Sequence, residues 1–378
     1  MDEWRLRQGL SVTKSLARYA CPNVGVASDA PRLAGACDSD DELSVVRGAA
    51  EAVERFAAGD VRRDQLHFLR AAEIEGRYLD PRKVVAYTSS QHTRGWLKSH
   101  AFLRDDMNVW VQGESLSGDI VYLLAETVYY PFPRLLRGRT SVYTDATSSG
   151  VAAHPDKATA LKGAYSELVE RDAFMRCWLS REVPSRLVLD SLPLPLRELC
   201  TWIEEQGYEV HLLALASAVK DVPVIVAVGH GAGGLLLGAS TGGTSDSLRH
   251  AMEELLVAVR DDNVKVVSAT EVRHPADHRL LYRDPRNHDK ARFLWAGPAT
   301  ITFDDLGGSA VTALPNQAVV FDLTSEETLP LQVWRCFCPG LIPISFGVDR
   351  EPLGLASAHV SPHSPHLARG ELFPHPFA

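Results

Sequence analysis

Two short runs echo each other in this chain: Glu51-Ala-Val-Glu54-Arg55 and Glu167-Leu-Val-Glu170-Arg171. Each reads Glu-x-x-Glu-Arg. Residues three apart lie on one helical face, so each run sets two carboxylates side by side. Like charges so placed repel, and the arrangement calls for a cation nearby. One copy alone reads as a solvated face with Arg as the local partner. Two copies, each beside apolar residues (Ala52 and Val53; Leu168 and Val169), point to convergence at the edge of a cleft. Four carboxylates suit Mg2+, a hard ion that takes oxygen ligands and keeps phosphate oxygens as partners. Glu51, Glu54, Glu167 and Glu170 are therefore the candidate metal ligands. Such metal would hold a nucleoside triphosphate and neutralise charge during phosphoryl transfer. Arg55 and Arg171 would contact phosphates or brace the carboxylates. The sequence has no G-x-x-x-x-G-K-[ST], so this would be ATP chemistry without a P-loop.

Helices must carry both runs. Val45, Ala49, Ala52, Val53 and Phe56 form an apolar stripe that predicts a helix over 42–58, capped by Ser39 or Asp40. Pro155-Asp156 opens a second helix to about residue 179; further helices are expected over 196–206 and 246–260. Strands are expected at 109–111, 120–124, 209–215, 223–228, 235–239, 318–322, 333–337 and 342–346. The last twenty residues, rich in Pro and His, read as extended tail.

The chain has 378 residues, with 39 Lys plus Arg against 48 Asp plus Glu, a net charge of −9. That balance argues against a nucleic-acid coat or an anionic-membrane binder. Hydrophobic residues at 45% and charged residues at 23% are ordinary for a folded protein. No apolar run approaches the roughly 20 residues of a spanning helix, and the N-terminus has no signal-peptide stretch. Six scattered Cys do not make a disulfide framework. Cys336 and Cys338 read as a buried reduced pair rather than half a zinc site. Together these place the chain in the cytoplasm.

Other motifs compete poorly. Gly229-His-Gly231-Ala-Gly-Gly234 matches a dinucleotide fingerprint, but that motif must open a helix, and Leu235-Leu-Leu reads as a strand; a hairpin turn is expected. Gly238-Ala-Ser240-Thr-Gly242 matches a nucleophile elbow, yet the next helix starts too late, at Ser245 or Asp246. Ser11-Val-Thr-Lys14 lacks the companion motifs of S-x-x-K enzymes. His359, His363, His366 and His375 read as a solvated tail. His274 and His278 are four apart, but Pro275 argues against a helix, so His278 is expected to make a structural hydrogen bond.

The run from Ser148-Ser-Gly-Val-Ala-Ala-His-Pro through Glu167-Leu-Val-Glu-Arg-Asp-Ala-Phe-Met-Arg-Cys-Trp178 resembles the central signature of YcaO-domain proteins. Weaker matches follow in order: the helix of Glu51 and Glu54, Trp110-Val-Gln-Gly-Glu-Ser-Leu-Ser-Gly118 with Val121 to Tyr129, Asp277 to Tyr282, and Val333 to Leu341. The resemblance spans roughly residues 30–378. It implies an α/β, YcaO-like fold: antiparallel sheets with packed helices and pseudo-repeated halves, no P-loop, and ATP and Mg2+ among the glutamates. It implies a lead-in over 1–30, a catalytic domain over 31–358, and a tail over 359–378 that reaches the site through Pro374, Pro376 and Ala378. Ser148, Ser149 and Glu254 would contact the nucleotide.

By the same resemblance, the reaction activates a peptide backbone amide. A Cys, Ser or Thr side chain of a ribosomal precursor peptide adds to the preceding carbonyl, whose oxygen leaves as phosphate, giving thiazoline or oxazoline. Thioamide or amidine formation, or a non-catalytic scaffold, are the alternatives. Implied partners are the precursor peptide, a leader-binding protein, a flavin dehydrogenase and a second copy of the chain. Departures from the pattern are Arg47 for a Ser, Ser149 for an Asn, Val257 for a Gln, and Ala378 for the last Pro of Pro-x-Pro-x-Pro.

Overall fold

A computed structural model describes residues 2–5, 11–19, 32–38, 41–93, 100–132, 143–144, 147–258, 265–356 and 372–377; side chains are described from residue 42 onward, 257–258 excepted. Strands β1 (Asp2–Arg5), β2 (Ser11–Tyr19) and β3 (Arg32–Asp38) form a small antiparallel sheet. The segment expected as lead-in thus supplies β1 and β2. Helix α1 (Asp41–Gly59) lies against β2 and β3.

Strands β4 (His67–Arg70), β5 (Arg77–Tyr78), β6 (Met107–Ser115), β7 (Ile120–Leu124) and β8 (Val151–His154) belong to a second sheet. A third contains β9 (Ser185–Leu187), β10 (Tyr208–Leu215), β11 (Val224–Gly231), β12 (Gly234–Thr241) and β13 (Thr300–Ile301), in the order β12-β11-β10-β9-β13. The chain then returns to the second sheet with β14 (Val319–Asp322) and β15 (Gln332–Phe337). That seven-stranded sheet runs β5-β7-β6-β14-β15-β8, with β4 also on β6. Pairing is antiparallel except for two short parallel pairs, β5 with β7 and β13 with β9.

Helix α2 (Lys157–Ser180) lies between the two large sheets. Asp156 caps it as expected, accepting from Thr159 N–H at 2.8 Å. Its Ala164, Val169, Phe174 and Trp178 share one core with Leu213, Val226 and Leu235 of one sheet and Val320, Trp334 and Cys336 of the other. A helix with apolar neighbours on two sides is buried nearly all round. The outer face of the five-stranded sheet is covered by α3 (Leu194–Glu205) and α4 (Ser245–Ala258), through Leu199, Ile203, Leu248 and Leu255. On the seven-stranded sheet, Val151, Val333 and Phe337 face away from α2 and pack with Ala57 and Ala58 of α1. Strand alternation therefore gives α1 one face of β8 and β15, and α2 the other.

Several expectations need correction. Residues 342–346 form no strand: Ile342 N–H donates to Asp172 Oδ1 at 2.6 Å instead of to a ladder. Pro275 does not prevent a helix but begins one, α5 (Pro275–Leu281), because a first-turn Pro gives up an N–H that has no helical partner. His375 is fully buried rather than solvated; His359, His363 and His366 lie outside the described residues. The glycine-rich run is a hairpin turn pairing Gly231 with Gly234. Ser240 lies within β12, paired with Ile225, and not in an elbow. Cys336 and Cys338 are buried and free. No described helix is long and apolar enough to cross a membrane.

Candidate functional site

β8 is an edge strand, so its outward N–H groups need partners from outside the sheet. Glutamates supply them. Glu54 of α1 accepts from Ala153 N–H at 2.8 Å, and Glu167 of α2 accepts from Gly150 N–H at 2.7 Å. The two echoed helices thus bind one stretch of backbone, Glu54 within β8 and Glu167 at the residue just before it. Gly150 makes the approach possible. Its φ is +80°, and a Cβ there would lie 2.7 Å from the Cys336 carbonyl oxygen.

Both arginines bind within their own motif. Arg55 Nη2 is 3.2 Å from Glu51 Oε1, and Arg55 also donates to Ser148 Oγ in the turn before β8. Arg171 Nη2 is 3.3 Å from Glu167 Oε1 and Nη1 is 2.9 Å from Glu170 Oε1. The latter pair lacks hydrogen-bond alignment, leaving Glu170 Oε1 buried without a hydrogen-bond partner. Glu254 of α4 accepts from Ala239 N–H at 3.1 Å, and its charge acts on both Glu170 and Arg171. Ser149 is buried, its N–H on Thr147 Oγ1 at 3.2 Å.

Burial dominates the electrostatics. It raises the Glu54 carboxyl to about 8, with the charge of Glu167 adding to the rise and the Ala153 N–H opposing it. Burial likewise raises Glu170 to about 8; Arg171 opposes the rise, while Glu254 and Glu167 add to it. Arg55 and Arg171 are held above the ordinary guanidinium range by the surrounding glutamates, against the effect of burial. Among the described residues, no three His, Cys, Asp or Glu side chains group tightly enough to hold a metal ion by themselves. The four carboxylates share one region but not one point, because arginines and backbone N–H groups engage them separately. The donor set nonetheless fits a divalent cation: hard oxygens, two of them on carboxyls raised by desolvation that ionise fully only beside added positive charge.

The tail reaches this region. Residues Pro374 to Phe377 are buried, and the Phe377 ring lies 4.2 Å from the Arg171 guanidinium carbon. Trp178 Nε1–H donates to the Phe373 carbonyl at 3.2 Å and the Tyr282 hydroxyl to that of Pro374 at 2.8 Å. His278 places Nδ1 2.6 Å from the His375 carbonyl oxygen, while its Nε2 accepts from Gly347 N–H at 2.9 Å. The expected structural hydrogen bond of His278 is therefore a pair of bonds. Ala378 lies outside the described residues, as do Ser39, Asp40 and the side chain of Val257. Arg47 pairs with buried Glu253 of α4 at 3.2 Å, tying α4 to α1.

Sequence reasoning missed Arg335. It is buried on β15 and donates to the carbonyls of Val128 at 2.8 Å and Thr147 at 2.6 Å, so it holds the turn that carries Ser148 and Ser149. Burial lowers it to about 10, and Glu167 supplies the opposing negative charge. The available signal was a lone charge in the apolar run Val333-Trp-Arg-Cys-Phe337.

A family model described as YcaO cyclodehydratase, ATP- and Mg2+-binding, matches residues 37–342. No curated protein matches the chain. Among solved structures, YcaO from Methanopyrus kandleri bound with AMPPCP and Mg2+ superposes with a TM-score of 0.65 at 19% identity, over 90% of this chain and 86% of that one. A heterocyclase in complex with substrate and cofactor gives 0.65 at 19%, over 82% of this chain; the match spans only 45% of that chain. The Escherichia coli microcin synthetase McbBCD complex with pro-MccB17 bound gives 0.54 at 13%, over 85% and 86%. At these identities the likeness is one of fold.

Proposed function

The chain belongs to the YcaO family, which binds ATP and Mg2+, and on that premise we propose that it activates backbone amides of a ribosomal precursor peptide to form thiazoline or oxazoline rings. The observation that carries this reading is the meeting of two Glu-x-x-Glu-Arg helices at β8, with Glu170 buried, Glu54 half-buried and both raised to about 8. ATP with Mg2+ supplies a transferable phosphoryl group and the charge that steadies it. Glu51, Glu54, Glu167 and Glu170 hold the metal. Arg55, Arg171, Ser148, Ser149 and Glu254 orient the nucleotide. The tail reaches the site through Pro374 and Pro376, with Phe377 seated on Arg171.

In the peptide, the thiol or hydroxyl of Cys, Ser or Thr adds to the preceding carbonyl carbon. The amide oxygen takes the γ-phosphoryl of ATP and leaves as phosphate. The nucleophile's proton and the amide proton are released, so the products are azoline, ADP and phosphate. Amide oxygen is a poor leaving group, and phosphorylation lets a dehydration proceed in water. A separate protein presents the leader peptide, and the reaction belongs in the cytoplasm, where ATP is available.

The test is ATP consumption by the full chain with a Cys- or Ser-bearing precursor and its partner, read with product mass. A product lighter by one water, lost in Glu167→Gln, supports the reading. An exchange of oxygen for sulfur would assign thioamide formation, and water loss without Cys, Ser or Thr would assign amidine formation. No turnover with any peptide and partner would leave a scaffold.

A further inference from the structure

Beside the carboxylates lies a cleft of about 630 Å3, open mouth included, walled by Ser149, Leu168, Arg335, Cys338, Leu341 and Ser345, with Val84 and Val85 opposite. The lining is mainly apolar, yet two of its buried polar groups lack partners: Arg335 Nε and Ser345 Oγ. A buried donor without an acceptor costs stability, and such a group in a native cleft calls for a ligand atom. Arg335 is deeply buried, and among the described residues no carboxylate pairs with it. Positive potential therefore faces the cleft, and an acceptor oxygen is its natural complement. The cleft adjoins the carboxylate site: Ser149 precedes Gly150, whose N–H donates to Glu167, and the Glu167 charge acts on Arg335 in the cleft wall.

We propose that this cleft is the peptide acceptor subsite: it takes the apolar side chain of the residue whose carbonyl is attacked, while a backbone carbonyl of the same segment accepts from Arg335. The inference rests on the amide-activating function above and adds a sequence preference to it. An aliphatic or aromatic residue ahead of the modified Cys, Ser or Thr is selected, and Gly or Asp there is disfavoured. An acidic side chain could reach Arg335 but would strand its charge among Val84, Val85 and Leu341.

The full chain, with AMPPCP and Mg2+, is equilibrated with an equimolar library of hexapeptides carrying Cys at a fixed place and every residue type before it. Retained peptides are read by mass spectrometry, and AMPPCP binding is measured in parallel. Burying one apolar side chain predicts about tenfold enrichment of Leu, Ile, Met and Phe over Gly and Asp. Leu341→Trp, which fills the cleft, abolishes that preference with AMPPCP binding unchanged; Leu341→Ala, which widens it, shifts the preference towards Phe and Trp. Equal enrichment in wild type and Leu341→Trp, or none in the wild type, overturns the proposal. So does a parallel loss of AMPPCP and peptide in Leu341→Trp, which would give the cleft to the nucleotide. Failure of wild type to bind AMPPCP with Mg2+ sinks the ATP reading alone, because peptide enrichment is scored separately.

Discussion

Acid should loosen the docked tail, and His278 sets by how much. The ring is buried between the His375 carbonyl and the Gly347 N–H, and the bond it accepts at Nε2 needs the neutral form. Burial lowers it from an ordinary 6.5 to about 4, against the His375 carbonyl and the Asp277 charge, which raise it. His375, packed on it at 4.4 Å between ring centres, is lowered further by burial and by the His278 charge. Both pKa values are depressed on folding, so the stability they hold is present above pH 6.5 and lost as pH falls towards 4. For His278 alone, the shift from 6.5 to about 4 makes the folded state about 2 kcal/mol less stable at pH 5 than at pH 7. The assay is urea unfolding of wild type and His278→Ala at both pH values, with carboxypeptidase sensitivity reporting the tail. Wild type should lose about 2 kcal/mol more than the variant on acidification, and its tail should be trimmed faster at pH 5. Parallel pH dependence in the two proteins would refute the reasoning.

Three further outcomes follow from the site. Glu54→Gln and Glu170→Gln mimic the protonated form that burial favours, so thermal stability should move by less than about 1 kcal/mol. Phosphate release from ATP should fall about a hundredfold. Gly150→Ala meets the Cys336 carbonyl oxygen and a left-handed backbone, so it should destabilise by about 2 kcal/mol in chemical denaturation and lower phosphate release by displacing Glu167. Phe377→Ala removes a buried ring and its contact with Arg171, a loss of about 3 kcal/mol seen as faster tail proteolysis rather than a lower global midpoint.

Periodicity made much of this legible. The stripe of Ala49, Ala52 and Val53 marks α1, and Asp156 marks the start of α2, within a residue or two of the structure. The echoed motif named the four glutamates, and the Glu54 and Glu167 bonds to the β8 edge do bring their helices together. Spacing could not show that α1 and α2 take opposite faces of one strand, because that is set by sheet order. Nor could it show Arg335: its partners are backbone carbonyls at Val128 and Thr147, far away in sequence and of no particular residue type. Residues 342–346 have strand-like composition, yet Asp172 takes the Ile342 N–H and the segment forms no strand. His375 looked like solvated tail because its burial depends on Phe174, His278 and Phe346, distant in sequence, packing against its ring.

Helix α2 is held from two sides within one core, by Val224 and Leu235 of one sheet and Val320 and Trp334 of the other. Its amides can exchange with solvent only when both sheets separate from it, so they should be the slowest in the chain and should report global unfolding. The carboxylates of Glu167 and Glu170 therefore ride on a helix held between the two large sheets, while those of Glu51 and Glu54 ride on α1, held between the small three-stranded sheet and the seven-stranded one. The two pairs of carboxylates thus meet where separate sheets converge, so the distance between them is set by how those sheets seat on one another.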